Sequence, residues 1–310
     1  MHLVRTARSF PFDLVAAGSV ATIGAYDGLH LGHRKLLEEV LQRSASEGLP
    51  SVVMSFEPTP KEFFAAESPP ARLTRFREKF EALAEAGIDI FFCPRFDDRM
   101  RSMAADTFIR QLLIHALNVR QLVIGDDFCF ARGGRGTVEH LRRAGEALDF
   151  SVTQVPSVIV DGERVSSTSI REALWQGDLH RATRLLGRHY SMSGTVIHGD
   201  NLGRALGFPT ANVNLRRRQS PVMGIFAARV RGLGASPLDA VVSVGTRPTF
   251  GGTKPLLEVH IFDFDEDIYG AYIHVDFIAR LRSEEKFGGP VELVKQMHRD
   301  TARAREILAA

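Results

Sequence analysis

The sequence predicts an α/β domain with a parallel sheet, followed by a small antiparallel β-barrel that ends in a C-terminal helix. Three observations lead to this prediction. In the first half, near-continuous apolar runs alternate with amphipathic helical segments, which is typical of parallel strands covered on both faces. After residue 177 that alternation stops, and short strands separated by turn residues follow. The final segment, 290–308, has apolar residues at helical spacing.

The first half supplies the strands and helices of the α/β domain. Apolar runs predict strands at 19–23, 51–56, 88–92, 121–124 and 151–155. Helical spacing predicts helices at 34–44, between a cap at Thr74 and a stop at Gly87, and at 104–116, 137–148 and 170–175. Because ligands bind at the carboxyl ends of parallel strands, the segments that follow these strands are the expected positions of a site.

The second half supplies the barrel. The segment 180–186 is short and helical, and the predicted strands are 191–197, 224–230, 240–244, 256–262 and 272–281. Closing them into a barrel removes their exposed edges. We place the domain boundary between residues 184 and 185, which gives domains 1–184 and 185–310.

Composition limits the class of protein. Of the 310 residues, 44% are hydrophobic and 25% charged, as in ordinary globular proteins, and the formal net charge of +2 gives no global field for nucleic acid. The two cysteines, Cys93 and Cys129, lie in apolar contexts and are expected to be reduced core thiols. No run has signal-peptide or membrane-span character. We therefore expect a cytoplasmic enzyme without nucleic-acid or membrane partners; a weak homo-oligomer is compatible with the sequence.

The first candidate site is the histidine loop, residues 24–33, where a predicted strand leads into a predicted helix. The unpaired amides at a helix start and the glycines of this loop allow a phosphate to approach closely. His30 and His33 are three residues apart and could grip a triphosphate, although a helix cap and a surface residue are the plainer interpretation of each alone. Asp27 could shape the loop or help to place Mg²⁺, and we favour loop shaping.

A second phosphate clamp is predicted at 165–171, ahead of and within the helix at 170–175. Ser167, Thr168 and Arg171 combine hydroxyls, fresh helix amides and a guanidinium. At least one hydroxyl in this segment is expected to cap the helix instead of binding phosphate.

The glycine-rich segment 198–212 is the third candidate. Thr210 and Asn212 lie two apart on an extended chain, so both face the same side and suit a hard cation that keeps several waters. In the predicted strand 256–262, Glu258 alternates with apolar residues, and from this pattern alone a solvated surface carboxylate is the plainer interpretation.

These motifs together resemble one known family. The His-X-Gly-His pattern is similar to that of the nucleotidyltransferase superfamily, and the run resembles the form found in bacterial bifunctional riboflavin kinase/FMN adenylyltransferases: Thr22-Ile23-Gly24-Ala25-Tyr26-Asp27-Gly28-Leu29-His30-Leu31-Gly32-His33. The Ser-Ser-Thr-X-X-Arg segment ending at Arg171 and the Pro-Thr-Ala-Asn core ending at Asn212 resemble two further family motifs, in family order. The resemblance implies a Rossmann-like nucleotidyltransferase domain followed by a riboflavin kinase barrel.

The resemblance also implies substrates, a cofactor and roles. ATP with Mg²⁺ would convert riboflavin to FMN and ADP, and FMN to FAD and pyrophosphate, so the flavins are substrates and products. The implied catalytic residues are His30, His33 and Glu258, and the metal ligands are Thr210 and Asn212. The implied ATP and phosphate contacts are Gly24, Asp27, Gly32, Ser167, Thr168, Arg171, Gly199, Gly203 and Arg204. The implied flavin contacts are Asp127, Phe128, Arg282 and Glu285.

One departure keeps an alternative open. The family has a glycine where this chain has Ala131, which makes the backbone path of the loop after residue 125 uncertain. A kinase with a decayed adenylyltransferase domain is therefore a second hypothesis, and a flavin-binding regulatory or storage protein without turnover is a third. An aminoacyl-tRNA synthetase is disfavoured because the sequence has no Lys-Met-Ser-Lys-Ser type loop.

Overall fold

The computed structural model describes residues 1–7, 10–199, 203, 206–249 and 252–310, with the side chains of 247–249 and 252–254 not described. The chain forms two compact units. The first contains Met1–Pro70 and Thr74–Val165, and the second contains Ala71–Leu73 and Ser166–Ala310. Three residues of the first half are thus part of the second unit.

The first unit is built on a six-stranded, wholly parallel sheet. Its strands are β1 His2–Val4, β2 Ser19–Ile23, β3 Ser51–Met54, β4 Ile90–Phe92, β5 Val119–Gly125 and β6 Ser151–Val155, in the order β1-β4-β3-β2-β5-β6. Its helices are α1 Leu31–Glu47, α2 Pro60–Phe64, α3 Phe76–Glu85, α4 Asp98–Ser102, α5 Ala105–Phe108 with a π-helical continuation over Ile109–Ala116, and α6 Val138–Leu148. A two-stranded ladder, β7 Ile159–Val160 with β8 Glu163–Arg164, completes the unit. The predicted parallel α/β architecture is confirmed.

Apolar residues cover both faces of this sheet. In β2, Ala21 and Ile23 join one core cluster, whereas Val20, which precedes Ala21, joins the other. This is why the strand has no polar face and reads as a continuous apolar run. Cys93 is buried in one of these clusters as predicted, but Cys129 is exposed. The prediction of a core thiol was wrong for Cys129 because β5 ends at Gly125, before the cysteine is reached.

The second unit contains a closed antiparallel barrel. Its elements are α7 Ser167–Gln176, α8 Leu179–Leu186, β9 Tyr190–Ile197, β10 Ala211–Asn214, β11 Gly224–Arg231, β12 Leu238–Thr249, β13 Gly252–Ile261, β14 Tyr272–Arg282 and α9 Pro290–Ala309. The strands close in the order β10-β13-β12-β11-β14-β9. In α9, Ala304 and Leu308 pack with Ala227 and Phe262 of the barrel. The predicted barrel and C-terminal helix are confirmed.

One predicted cap was wrong. Arg75, not Thr74, precedes the first residue of α3, and the Thr74 amide donates a hydrogen bond to Asp27 instead.

Among the described residues, no helix is both long and apolar enough to cross a membrane.

Candidate functional sites

The histidine loop joins β2 to α1 through an unusual backbone path. Tyr26, Gly28 and Leu29 have φ values of 49°, 92° and 41°, in the left-handed region that ordinary residues avoid. Such strain persists only where the surrounding structure imposes it, and it is concentrated at binding and catalytic sites.

Asp27 and Thr74 hold this path from within the first unit. Asp27 Oδ1 accepts hydrogen bonds from the Thr74 amide at 2.8 Å and from its hydroxyl at 3.1 Å. The Gly28 amide in turn donates to Thr74 Oγ1 at 3.0 Å. Asp27 is only 7% exposed, so its carboxylate shapes the loop, the role that we favoured from the sequence. Thr74 was missed as a site residue because sequence spacing made it a helix cap.

The two histidines stack at the start of α1. His30 is the N-cap residue, and its Nδ1 accepts a hydrogen bond from the His33 amide at 3.3 Å. The ring centroids are 3.7 Å apart with a 16° interplanar angle. Because Nδ1 of His30 accepts, its Nε2 carries the ring proton. The plain interpretation of His30 as a capping histidine is thus correct for one of its roles.

His33 is held as a neutral imidazole. Burial of its ring, and then the neighbouring charges of His30 and Lys79, place the pKa of His33 well below its usual value of 6.5. Its Nδ1 is buried and has no hydrogen-bond partner among the described residues. A buried polar atom of this kind is costly unless a ligand satisfies it.

Two glycines give the rings their space. A Cβ at position 32 would lie 3.2 Å from Nδ1 of His30, and one at position 24 would lie 3.0 Å from the Tyr26 ring. The Tyr26 ring is itself fully buried, 5.0 Å from the His33 ring, and its hydroxyl is 2.6 Å from Thr22 Oγ1. Any side chain at Gly24 or Gly32 therefore presses on the loop's aromatic packing.

A buried lysine that was not predicted from the sequence contacts this loop. Lys79 of α3 is 3% exposed, and its Nζ donates to the Ala25 carbonyl at 2.5 Å and to Ser55 Oγ at 3.4 Å. Its position was readable in principle, since Lys79 follows Phe76 by three residues and precedes Leu83 by four, on the apolar face of the helix.

The predicted phosphate clamp lies at the start of α7, in the second unit. Ser166 is the cap, since its Oγ accepts from the Ser169 amide at 3.1 Å. Thr168 is exposed and Ser167 half-buried. Arg171 donates from Nε to the Ala71 carbonyl at 2.7 Å and from NH1 to the Ser167 carbonyl at 3.2 Å. Its guanidinium therefore fixes two backbone carbonyls at this end of the helix.

The loop after β5 carries Asp127, Phe128 and Ala131. Asp127 accepts a hydrogen bond from Arg164 NH2 at 2.7 Å, and the Phe128 ring stacks on Phe130 at 5.8 Å. Ala131 has φ 64° and ψ −170°, a region essentially restricted to glycine. The loop thus keeps a glycine-type backbone path although the residue is alanine.

The barrel brings Asn212 and Glu258 together. They are directly opposite each other on β10 and β13, and Ser243 of β12 is opposite Glu258 on its other side. Paired residues of antiparallel strands point to the same face. Because Leu257 and Val259 are buried, Glu258, Asn212 and Ser243 project from the opposite face, away from the barrel core.

Two described glycines of the glycine-rich segment approach Asn212 and Thr210. A Cβ at position 199 would lie 2.0 Å from Nδ2 of Asn212, and one at position 203 would lie 3.0 Å from Oγ1 of Thr210. Gly199 and Gly203 therefore let the backbone approach the two predicted metal ligands. Arg204, a predicted phosphate contact, lies outside the described residues.

The donor set fits Mg²⁺ bound together with a nucleotide. Hydroxyl and amide oxygens from Thr210 and Asn212 suit this hard cation, which usually takes one or two protein ligands and completes its shell with waters and phosphates. Within the described ranges, no group of three or more His, Cys, Asp or Glu side chains could hold a metal alone.

A cavity of about 350 Å³ adjoins Thr210. Apolar Val259 and Ile261 and the acidic side chains Asp265 and Asp267 are among its lining residues. Tyr269, also in the lining, stacks its ring on His198 at 3.8 Å. An apolar cavity of this size with a few carboxylates can take a base and the hydroxyls of a ribose.

The two predicted flavin contacts of the second unit differ in burial and in their partners. Arg282 forms a bidentate ion pair with Asp300 of α9, with NH2 2.7 Å from Oδ2 and Nε 3.1 Å from Oδ1. Asp300 is 6% exposed and also accepts from Gln296. Glu285, by contrast, is exposed in the segment between β14 and α9.

The two units define a protein that joins a nucleotidyltransferase-like parallel sheet to a small antiparallel barrel, each with its own candidate phosphate site. Family comparison agrees with this class. A family model for FAD synthetase matches residues 14–169, and one for riboflavin kinase matches residues 186–308.

Curated relatives identify the family. The bifunctional riboflavin kinase/FMN adenylyltransferase of Escherichia coli strain K12 is 46% identical over 93% of this chain and 92% of its own length. The protein of the same name from Haemophilus influenzae is 41% identical over 98% of both. This chain belongs to the bifunctional riboflavin kinase/FMN adenylyltransferase family.

A solved structure shares the fold. A crystal structure described as a macrolide-efflux protein from Streptococcus pneumoniae is 29% identical, covers 98% of each chain and has a TM-score of 0.81. The likeness spans the parallel-sheet unit and the barrel unit alike.

Proposed function

We propose that this chain makes FAD from riboflavin in two ATP-dependent steps, each carried by one domain. The barrel domain, 185–310, forms FMN and ADP, and the α/β domain, 1–184, forms FAD and pyrophosphate. The proposal is supported by two separate candidate phosphate sites: the stacked histidines at the start of α1, and the Asn212–Glu258 pair with Gly199 close to Asn212.

In the kinase step, the 5′-hydroxyl oxygen of riboflavin attacks the γ-phosphorus of ATP, and the bond from that phosphorus to the bridging oxygen of ADP breaks. Glu258 takes the hydroxyl proton as general base. Thr210 and Asn212 would hold Mg²⁺, which supplies charge neutralisation for the transferred phosphoryl group when bound. Gly199, Gly203 and Arg204 contact the ATP phosphates, and the cavity beside Thr210 takes the adenosine. Arg282 and Glu285 border the flavin, with Arg282 positioned by Asp300.

In the adenylyl transfer step, a phosphate oxygen of FMN attacks the α-phosphorus of ATP and pyrophosphate leaves. No side-chain nucleophile is needed, so catalysis depends on in-line positioning and charge stabilisation. His30 and His33 donate to the phosphates, Gly24 and Gly32 allow close approach, and Asp27 keeps the loop in shape. Ser167, Thr168 and Arg171 hold the leaving pyrophosphate, and Asp127 and Phe128 contact the flavin.

A kinase that lacks the second activity is the alternative that one observation favours. Ala131 occupies a backbone conformation suited to glycine, as expected of a loop that has lost its selected residue. Against it, the loop keeps that conformation, and the histidine loop has its capping, stacking and buried contacts in place.

We assign the enzyme to the cytoplasm, where ATP is available and both thiols remain reduced.

One assay tests the proposal. Riboflavin with magnesium and ATP is incubated with the enzyme, and FMN, FAD, ADP and pyrophosphate are separated over time. Appearance of FMN followed by FAD is expected. FMN and ADP alone, with no pyrophosphate when FMN is supplied, would establish the single-activity kinase. Flavin binding without ADP would contradict both activities.

A further inference from the structure

Lys79 is a buried cation beside the histidine loop. It lies on the inner face of α3, and its backbone amide continues the helix by donating to the Arg75 carbonyl at 2.9 Å. Placing an ammonium group in a protein interior is expensive unless polar partners compensate. Its partners include a carbonyl of the histidine loop and a hydroxyl at the carboxyl end of β3. The cation is thus directed at the edge of the sheet where ligands are expected.

Two residues of one segment anchor the histidine loop at two points. Thr74, just before α3, holds Asp27 and Gly28, and Lys79 holds the carbonyl of Ala25. Ser55 adds a weaker bond from its Oγ to the same carbonyl at 3.3 Å. The residues between these anchors include Tyr26, whose ring contacts that of His33. A change at Lys79 is therefore transmitted to the rings through a chain of direct contacts.

The groups that act on His33 come from three directions. Tyr26 packs against it from the histidine loop, with a hydroxyl that burial keeps protonated by raising its pKa. His30 stacks on it at the start of α1, and Lys79 acts on it from α3. Two groups act on it electrostatically, His30 from α1 and Lys79 from α3, and both lower the pKa of His33.

We propose that Lys79 is a positioning residue of the adenylyl transfer site, which fixes the histidine loop through the Ala25 carbonyl and supplies positive charge behind it. The proposal rests on the adenylyl transfer function proposed above. The neutral His33 imidazole then acts as a hydrogen-bond donor to the ATP phosphates, and Lys79 provides charge behind the loop. A buried charge is weakly screened, so it acts over a longer range than an exposed one.

The test compares three variants of the full chain with labelled histidine. Lys79→Met removes the charge and the hydrogen bond, whereas Lys79→Gln removes the charge and keeps a donor for the Ala25 carbonyl. Lys35→Met is the matched control, because Lys35 is an exposed lysine of α1 only two residues from His33. NMR spectra of the imidazole nitrogens are recorded against pH, with the His33 signal assigned by its loss in His33→Gln. FMN formation and FAD formation are measured in parallel.

In both Lys79 variants we expect the His33 imidazole to protonate at higher pH than in the wild type, and FAD formation to fall roughly 10- to 100-fold. FMN formation should stay at the wild-type rate. Native dispersion of the NMR signals of the other histidines of the first unit shows that this unit folds in each variant, and Lys35→Met should change neither the His33 titration nor FAD formation. An unchanged His33 titration in both Lys79 variants would overturn the proposal and leave Lys79 a packing residue. Failure of the wild type to form FAD would refute the adenylyl transfer function, while the titration would still decide the influence of Lys79 on His33.

Discussion

Asn212 and Glu258 are directly opposite each other on neighbouring strands of the barrel. Side chains in this relationship have Cβ atoms about 5 Å apart and share a face, so an amide and a carboxylate are set side by side by the strand register itself. Sites built on strands are held more tightly than sites built on loops. The separation of the proposed metal ligand and the proposed proton acceptor thus depends on backbone hydrogen bonds and not on flexible connections.

Replacing Glu258 by Gln keeps the size of the side chain and removes the proton acceptor. We expect FMN formation to fall by about 10²- to 10⁴-fold, the range typical of a general base, while FAD formation from supplied FMN continues. Initial rates of both steps measure this, and Glu306→Gln on the exposed part of α9 is the control. Loss of both activities in a folded Glu258→Gln protein would show that the two steps are not divided as proposed.

Adding one methyl group at Gly199 should also impair the kinase step. A Cβ there would lie 2.0 Å from Nδ2 of Asn212, so the amide must move away from its place beside Glu258. Gly199→Ala should raise the magnesium requirement of FMN formation and lower its rate at least tenfold, with FAD formation from FMN unaffected. Gly234→Ala is the matched control, because it adds the same methyl group at a position where a Cβ meets no atom within 4 Å. Equal behaviour of the two variants would mean that Asn212 is not a ligand.

The sequence predicted most of the architecture because its signals were local. The run 19–23 was assigned correctly because it is apolar throughout and ends at Gly24. β10 was not predicted, since Asn212 and Asn214 interrupt its apolar pattern and its strand character comes from pairing with β9 and β13. β1 was missed for a similar reason, being a three-residue edge strand with exposed His2 and Leu3.

The candidate site residues also divide into those with a local sequence signal, which were predicted, and those placed by distant contacts, which were not. The histidines and glycines stood out because their type and spacing carry the phosphate-binding pattern within one short segment. Thr74 and Lys79 did not, because they reach the histidine loop from more than forty residues away in the chain. Arg282 was predicted as a flavin contact, but its partner Asp300 could not be inferred, since nothing in the sequence links β14 to α9 at that position.

The lowered pKa of His33 makes stability depend on pH. In the unfolded chain this histidine binds a proton below about pH 6.5, whereas the native protein resists protonation until lower pH. The unfolded state therefore holds more protons in this window, and the free energy of unfolding should fall as pH decreases below 6.5, by at most about 1.4 kcal/mol per pH unit. Denaturant titrations between neutral and acidic pH measure it. His33→Gln should show a flatter dependence, and equal slopes would contradict the assignment.

The ion pair between Arg282 and Asp300 should contribute to folding beyond any contact with flavin. Both side chains are largely buried, so removing one leaves an uncompensated charge. Arg282→Met is expected to lower the free energy of unfolding by about 3–5 kcal/mol, and the double variant with Asp300→Leu to recover most of it. The exposed pair of Arg303 and Glu306 is the control, for which Arg303→Met should change stability by less than about 0.5 kcal/mol. Similar losses at both pairs would show that burial does not distinguish them.

Glycine at position 131 should stabilise the first unit. Ala131 has φ 64° and ψ −170°, where a Cβ clashes with its own backbone, at a cost of about 1–3 kcal/mol. Glycine removes that clash but gives the unfolded chain more freedom, which offsets up to about 1 kcal/mol, so we expect a net gain of about 1–2 kcal/mol. Ala45→Gly in the exposed part of α1 is the control, because there the same change should destabilise by about 0.5–1 kcal/mol. Denaturant unfolding compares the two. If the restored glycine also increases FAD formation, alanine has limited the loop's part in adenylyl transfer. A loss of stability in Ala131→Gly would mean that the backbone at this residue is not strained.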